Sequence, residues 1–181
     1  LSRIRVALTG ASKMPEQVTK DLIVKFGLHV REGYGLTESA PVLTTSLTGN
    51  PKVGSIGKPV PRVQLRLVDE HGEDADLGDS GEVWAKGENI FLGYYRDQEA
   101  TDRVLTHDGW LRTGDIAVID DEGDLYLVDR LKDLIIVSGF NVYPAEVEQV
   151  LLTHSSIAQA AVVGAPHPHT GESVRAHIVL K

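Results

Sequence analysis

The chain has 181 residues, 41% of them hydrophobic and 24% charged, a balance that suits ordinary globular protein of one domain or one and a half. Its 26 acidic and 18 basic residues give a formal net charge of -8, which repels phosphate backbones and anionic headgroups, so nucleic acid is not an expected partner. With no cysteine there is no disulfide scaffold, thiolate nucleophile or cysteine-bound metal, and no apolar run approaches the roughly 18 residues that a membrane span requires.

In chain order, Ile4 to Leu8 alternates apolar and polar side chains and runs into the small-residue turn Thr9-Gly10-Ala11-Ser12, which predicts a strand and a turn. Pro15 is placed to open a helix, Val18, Leu22 and Phe26 recur on one face, and Gly27 stands where a left-handed cap is wanted. A second strand is expected at Leu28 to Val30, completing the strand, helix, strand unit of a parallel sheet. From Gly54 the punctuation changes: strand-like runs at Val63 to Val68, Glu82 to Ala85, Ile116 to Ile119 and Leu125 to Val128 are parted by Gly-, Asp- and Pro-rich turns, the rhythm of a small antiparallel barrel or sandwich. A short helix is expected around Asp97 to Leu105. Beyond Asp129 come an apolar run Leu134 to Val137, a helix opened by Pro144, and strands at Ala160 to Val163 and His177 to Leu180. The charged tripeptide Arg130 to Lys132 is a plausible joint.

Three strings carry chemistry. Glu32-Gly33-Tyr34-Gly35-Leu36-Thr37-Glu38 combines glycines that admit a ligand to the backbone, a ring flat enough for a purine, a hydroxyl for a phosphate oxygen and a hard oxygen ligand for magnesium. Taken alone, it fits a tight turn with a Thr cap better. Asp108 to Asp115 ends in a carboxylate able to accept two hydrogen bonds from a ribose diol, although a loop Asp more often bonds its own backbone. In Leu127 to Glu146, Arg130 offers a fork of donors for ribose or phosphate, yet Asp129, Arg130, Lys132 and Asp133 also read as a mixed-charge surface turn. Pro166-His167-Pro168-His169 reads as a surface turn rather than a metal site.

In this order and at these separations, the three strings resemble the acyl-adenylate-forming superfamily that contains acyl-CoA synthetases, firefly luciferase and the adenylation domains of peptide synthetases. The resemblance implies a mixed α/β (α+β) fold. Residues 1–130 would be the end of a large N-terminal domain, with a parallel-sheet portion over 1–50 and a small antiparallel β-barrel over 51–130; residues 131–181 would begin a small, mobile α+β C-terminal domain. It implies that the turn Thr9-Gly10-Ala11-Ser12 lies against adenine, that Tyr34 stacks on the base, that Gly33 and Gly35 belong to the nucleotide-binding residues, that Thr37 meets the α-phosphate and that Glu38 holds magnesium. Asp115 and Arg130 would hold the ribose, Lys132 would be the hinge, and Val137, Ser138 and Gly139 would form the turn that faces coenzyme A in the second half-reaction. The family's phosphate-wrapping loop would precede Leu1 and its catalytic lysine would follow Lys181, so this chain alone is expected to be inactive.

Asp108 to Lys132, Glu32 to Pro41 and Ser138 to Pro144 most resemble bacterial long-chain fatty acyl-CoA ligases. The implied substrates are ATP, a long-chain fatty acid and coenzyme A, with Mg2+, in a cytoplasmic enzyme that leaves room for a peripheral membrane contact or a homodimer of the full protein. Two alternatives stand beside it: a fatty acyl-AMP ligase that loads a carrier protein, disfavoured by the short 15-residue stretch Ser39 to Val53, and a non-catalytic AMP-binding module, disfavoured by intact Glu38, Asp115 and Arg130. The extra lysine of luciferases falls on Ile136.

Overall fold

A computed structural model describes residues 4–11, 14–47 and 52–181 of the chain. The chain forms two compact units: the first takes the residues up to Thr113 together with Ala117–Leu127, and the second takes Gly114–Ile116 and Val128–Lys181.

In the first unit, β1 (Ala7–Thr9) and β2 (Val30–Tyr34) pair in parallel, Thr9 opposite Glu32, with helix α1 (Glu16–Phe26) as the crossover that parallel pairing demands. Gly27 ends the helix at φ 62°, and its N–H and that of Leu28 bond back to the Ile23 and Leu22 carbonyls, the left-handed stop expected of this glycine. Both strands start later than the sequence suggests. The face of α1 differs too: Val18 and Phe26 are exposed, and Thr19 is the residue buried. β2 then pairs antiparallel with the two-residue β3 (Thr44–Thr45), which pairs with β4 (Lys58–Pro59), giving the order β1-β2-β3-β4.

The second sheet, β5 (Val63–Val68), β6 (Gly81–Gly87), β7 (Leu111–Ile119) and β8 (Leu125–Arg130), runs in that order and is open, so the expected closed barrel is corrected to a four-stranded sheet. β5 and β6 are its antiparallel pair of six matched residues, and four strands are too few to curl round and meet. Alternation works as predicted: Leu67 faces Val83 inward, whereas Arg66 faces Trp84 with its guanidinium over that ring and over Trp110. The core of this unit joins Tyr34, Leu43 and Ile56 to Leu67, Val83, Ala85, Ala117 and Leu125. Burying leucines such as Leu43 and Leu125 completely contributes about 2 kcal/mol each. Between β6 and β7 lies α2 (Gln98–Val104), whose first turn is capped by the Asp97 carboxylate accepting from the Ala100 N–H at 2.9 Å.

In the second unit, β9 (Ile135–Val137) and β10 (Phe140–Val142) form a tight hairpin, α3 (Pro144–Leu152) follows, and the long strands β11 (Ile157–His167) and β12 (Gly171–Leu180) complete the order β10-β9-β12-β11. Pro144 opens α3 as its sequence position predicts, since a first-turn residue has no N–H to lose. β10 is a strand that the apolar pattern did not announce. Ile116, Ile135, Pro144, Ile157, Val162 and Ala165 are buried in this unit, and Glu148 of α3 accepts from the Val162 N–H of β11 at 2.7 Å. Among the described residues no helix is long and apolar enough to cross a membrane.

Candidate active site

In the first unit the chain leaves β2 through Gly35 and enters a one-turn 3₁₀ helix, Thr37–Ser39. Gly35 is dictated by space, because a Cβ there would fall inside the Pro41 carbonyl. Ser39 is completely buried; its hydroxyl accepts from the Leu36 N–H at 3.1 Å and lies 2.9 Å from both the Leu36 and Pro41 carbonyls. Gly10 reaches the same end of β2, where a Cβ on it would sit 3.2 Å from the Gly33 carbonyl oxygen, tighter than ordinary contact. Ala11 follows at φ 70°, Gly10 and Ala11 are exposed, and Ser12 lies outside the described residues. The loop after β1 and the Gly33-Tyr34-Gly35 segment are therefore neighbours.

Tyr34 is nine-tenths buried in the core rather than spread on an open surface. Its backbone is fixed by pairing opposite Thr44 and by the Leu43 N–H, 2.8 Å from its carbonyl. Little of the ring is open to a base. Thr37, by contrast, is exposed, and Glu38 is partly so.

Glu38 is not left to itself. Its Oε1 accepts the Tyr94 hydroxyl at 2.6 Å, its carbonyl accepts the Phe91 N–H at 2.8 Å, and the Asn89 side-chain amide donates to the Ser39 and Val42 carbonyls at 2.8 and 3.0 Å. The Glu38 carboxylate, followed by burial, pushes the Tyr94 phenol up to about 12, so the hydroxyl stays a donor throughout the physiological range. Sequence reasoning missed Asn89 and Tyr94, and the only signal was Gly93 beside a pair of tyrosines.

In the second unit Asp115 and Arg130 meet: Arg130 Nε lies 3.3 Å from Asp115 Oδ1, with the carboxylate 13% and the guanidinium side chain 61% exposed. The next residue back, Asp129, accepts from the Arg130 N–H at 2.7 Å and from the Ala145 N–H at 3.0 Å, which ties the segment to the first turn of α3. Lys132 is exposed in the 3₁₀ turn Leu131–Asp133. Ser138 and Gly139, both at positive φ (52° and 85°), make the two-residue β9–β10 turn, and the Ser138 N–H bonds to the Thr170 carbonyl at 2.9 Å. Val137 pairs with Gly171, and Glu172 accepts from the Ile136 N–H at 2.8 Å, so the end of the β11–β12 hairpin braces this turn. His167 and His169 stack edge to face 6.0 Å apart, and no group of three or more metal-ligating side chains occurs among the described residues.

The family model of AMP-binding enzymes matches residues 1–95, and that of the AMP-binding enzyme C-terminal domain matches residues 146–181. The chain belongs to the AMP-binding enzyme family. Of its relatives, a long-chain-fatty-acid–CoA ligase of Yersinia pestis is 45% identical over 98% of this chain, and 4-coumarate–CoA ligase 1 of Glycine max is 42% identical over 99%. ATP-bound MatB from Rhodopseudomonas palustris superposes on 98% of the chain with a TM-score of 0.91 at 35% identity. The chain spans 32% of the Yersinia ligase, 64% of the Glycine max ligase and 35% of MatB, so it covers between about a third and two thirds of the length of these relatives.

Proposed function

We propose that the protein carrying this chain activates a long-chain fatty acid with ATP, releasing pyrophosphate and forming an acyl-adenylate, and then transfers the acyl group to the thiol of coenzyme A with release of AMP. The observation that carries the reading is the match across nearly the whole chain to a ligase named for that substrate class, at 45% identity. In this reading the Gly10-Ala11-Ser12 loop and Gly33-Tyr34-Gly35 receive the adenine end of the nucleotide. Thr37, exposed at the start of its turn, donates to the α-phosphate. Asp115 and Arg130 hold the ribose, Lys132 is the pivot between two domains that meet near residue 130, and the braced Val137-Ser138-Gly139 turn serves the thioester step. A cytoplasmic setting belongs to the same proposal.

The donor set fits Mg2+. Magnesium is held by one or two carboxylates with the rest of its shell from phosphates and water, and a single partly exposed carboxylate at the phosphate-facing turn is what Glu38 offers. When bound, the ion would neutralise charge on the phosphates as pyrophosphate leaves. The chain's own residues align the nucleotide, which is where most of the rate of such a transfer arises.

The test is AMP release by the full-length protein across carboxylic acids of graded length, with and without coenzyme A. The expected result is a maximum at long acyl chains and strict dependence on the thiol. A maximum at short aromatic acids removes the substrate class, and turnover only with an acyl carrier protein replaces coenzyme A as acceptor.

A further inference from the structure

The turn bearing Glu38 extends one residue either side of it, too short to fix a side chain with three rotatable bonds, and ordering such a side chain has an entropic cost. Something must hold the carboxylate. The segment from Asn89 to Tyr94 bonds the turn three times, through the Asn89 amide to Ser39, the Phe91 N–H and the Tyr94 hydroxyl, and the Asn89 amide reaches the Val42 carbonyl just beyond it as a fourth contact. That segment is itself anchored. The Tyr94 N–H donates to Thr101 Oγ1 of α2 at 2.9 Å, that hydroxyl bonds to the Asp97 carbonyl at 2.8 Å, and the Phe91 ring meets the Tyr94 ring edge-on at 5.0 Å. Gly93 packs against Thr101 so closely that a Cβ would press into its side chain.

We propose that Tyr94 is a positioning residue for Glu38: its phenol holds Oε1 and thereby presets Oε2 for the magnesium–nucleotide complex. The bond is short and charge-assisted, the class that tolerates least geometric slack. It also selects which oxygen remains for a cation. The inference rests on Glu38 being the cation ligand, but the role of Tyr94 follows from a contact that no motif of the sequence indicated.

The experiment uses the full-length protein and titrates MgATP without acid, so that no turnover occurs, alongside AMP in the presence of a chelator. Tyr94→Phe, which keeps the ring against Phe91, weakens MgATP about tenfold, the loss of one charge-assisted hydrogen bond, and leaves AMP affinity unchanged. In a Glu38→Gln background the same substitution changes MgATP affinity no further, because the carboxylate that Tyr94 would position for the cation is already gone, although the amide oxygen still accepts the phenol. Should Tyr94→Phe melt, Thr101→Val frees the Tyr94 N–H with the phenol still present and weakens MgATP alone by a smaller factor. Equal losses for MgATP and AMP, additive effects of Tyr94→Phe and Glu38→Gln, or unaltered MgATP binding in Tyr94→Phe overturn the positioning role. A wild-type protein that binds ATP with no help from Mg2+ overturns the Glu38 reading itself, and this inference with it.

Discussion

The turn around Glu38 and the Asp115–Arg130 pair both carry nucleotide roles in the proposed function, but they are built in opposite ways. Around Glu38 the constraint comes from covalent geometry and buried hydrogen bonds: a glycine with no room for a Cβ, a fully buried serine hydroxyl, and a strap that bonds the turn at three points and Val42 just beyond it at a fourth. At Arg130 a single ion pair of 3.3 Å joins a largely exposed guanidinium to a nearly buried carboxylate. The first arrangement suits a ligand whose position must be fixed before phosphate chemistry begins. The second suits a sugar that replaces a weak internal partner at little cost, since exposed ion pairs contribute about 0–1 kcal/mol.

Gly35→Ala breaks the contrast hardest. Its methyl would overlap the Pro41 carbonyl, and neither side can yield while Ser39 Oγ and the Leu43 N–H hold the flanking backbone. We expect the first unit to lose roughly 3 kcal/mol or more, with loss of nucleotide binding, in urea unfolding of the full-length protein. A variant within about 0.5 kcal/mol of wild type would show the turn to be as loose as the Arg130 pair. Arg130→Ala sharpens the comparison from the other side: stability should change by less than about 1 kcal/mol, because the guanidinium is largely exposed and water can take its place beside Asp115, whereas AMP affinity should fall about tenfold. Thermal melting and equilibrium dialysis separate the two. A destabilised Arg130→Ala that still binds AMP normally would make the pair structural.

What the sequence made legible follows from the range of the interactions. Gly27, Asp97 and Pro144 act within their own turn of helix, so their roles could be read from neighbours in the chain, and each stands where expected. β5 is bounded as predicted because its alternation meets an equally alternating β6. The face of α1 is not legible in the same way: Val18, Leu22 and Phe26 share a helical stripe, but a stripe shows only which residues are able to face a core, and Val18 and Phe26 face solvent. Closure of a barrel and the contacts of Glu38 are long-range facts. Tyr94 stands 56 residues from Glu38, and no local period connects them. The seat of Tyr34 illustrates the same limit: its motif shows a flat ring suited to a purine, whereas its place in one core cluster with Leu43, Ile56 and Leu125 depends on residues far along the chain. Asp129 reads in the sequence as one charge in a surface turn, and its bond to the Ala145 N–H, 16 residues on, has no local signature.

A third region, remote from the chemistry, lies between these extremes and gives the smallest effect. Lys52 reaches Asp120 at 2.6 Å and Glu122 at 3.2 Å, while Asp120 also accepts the Glu122 and Asp124 N–H groups and the Tyr126 hydroxyl. The hydrogen bond from Lys52 is the main reason that the Asp120 carboxyl is held down at about 2, with the Asp124 N–H and the Tyr126 hydroxyl adding to it against a partial burial penalty. Because the folded value lies below the ordinary carboxylate value of about 3.9, this contribution is complete above about pH 4 and disappears as pH falls toward 2. Asp120→Asn should therefore melt a few degrees below wild type at neutral pH, with the gap closing between about pH 4 and pH 2. Melting curves of both proteins across that window decide the matter. The absence of a gap at neutral pH would assign the stability to the backbone hydrogen bonds of the Asp120 turn, which an asparagine oxygen keeps, rather than to its charge.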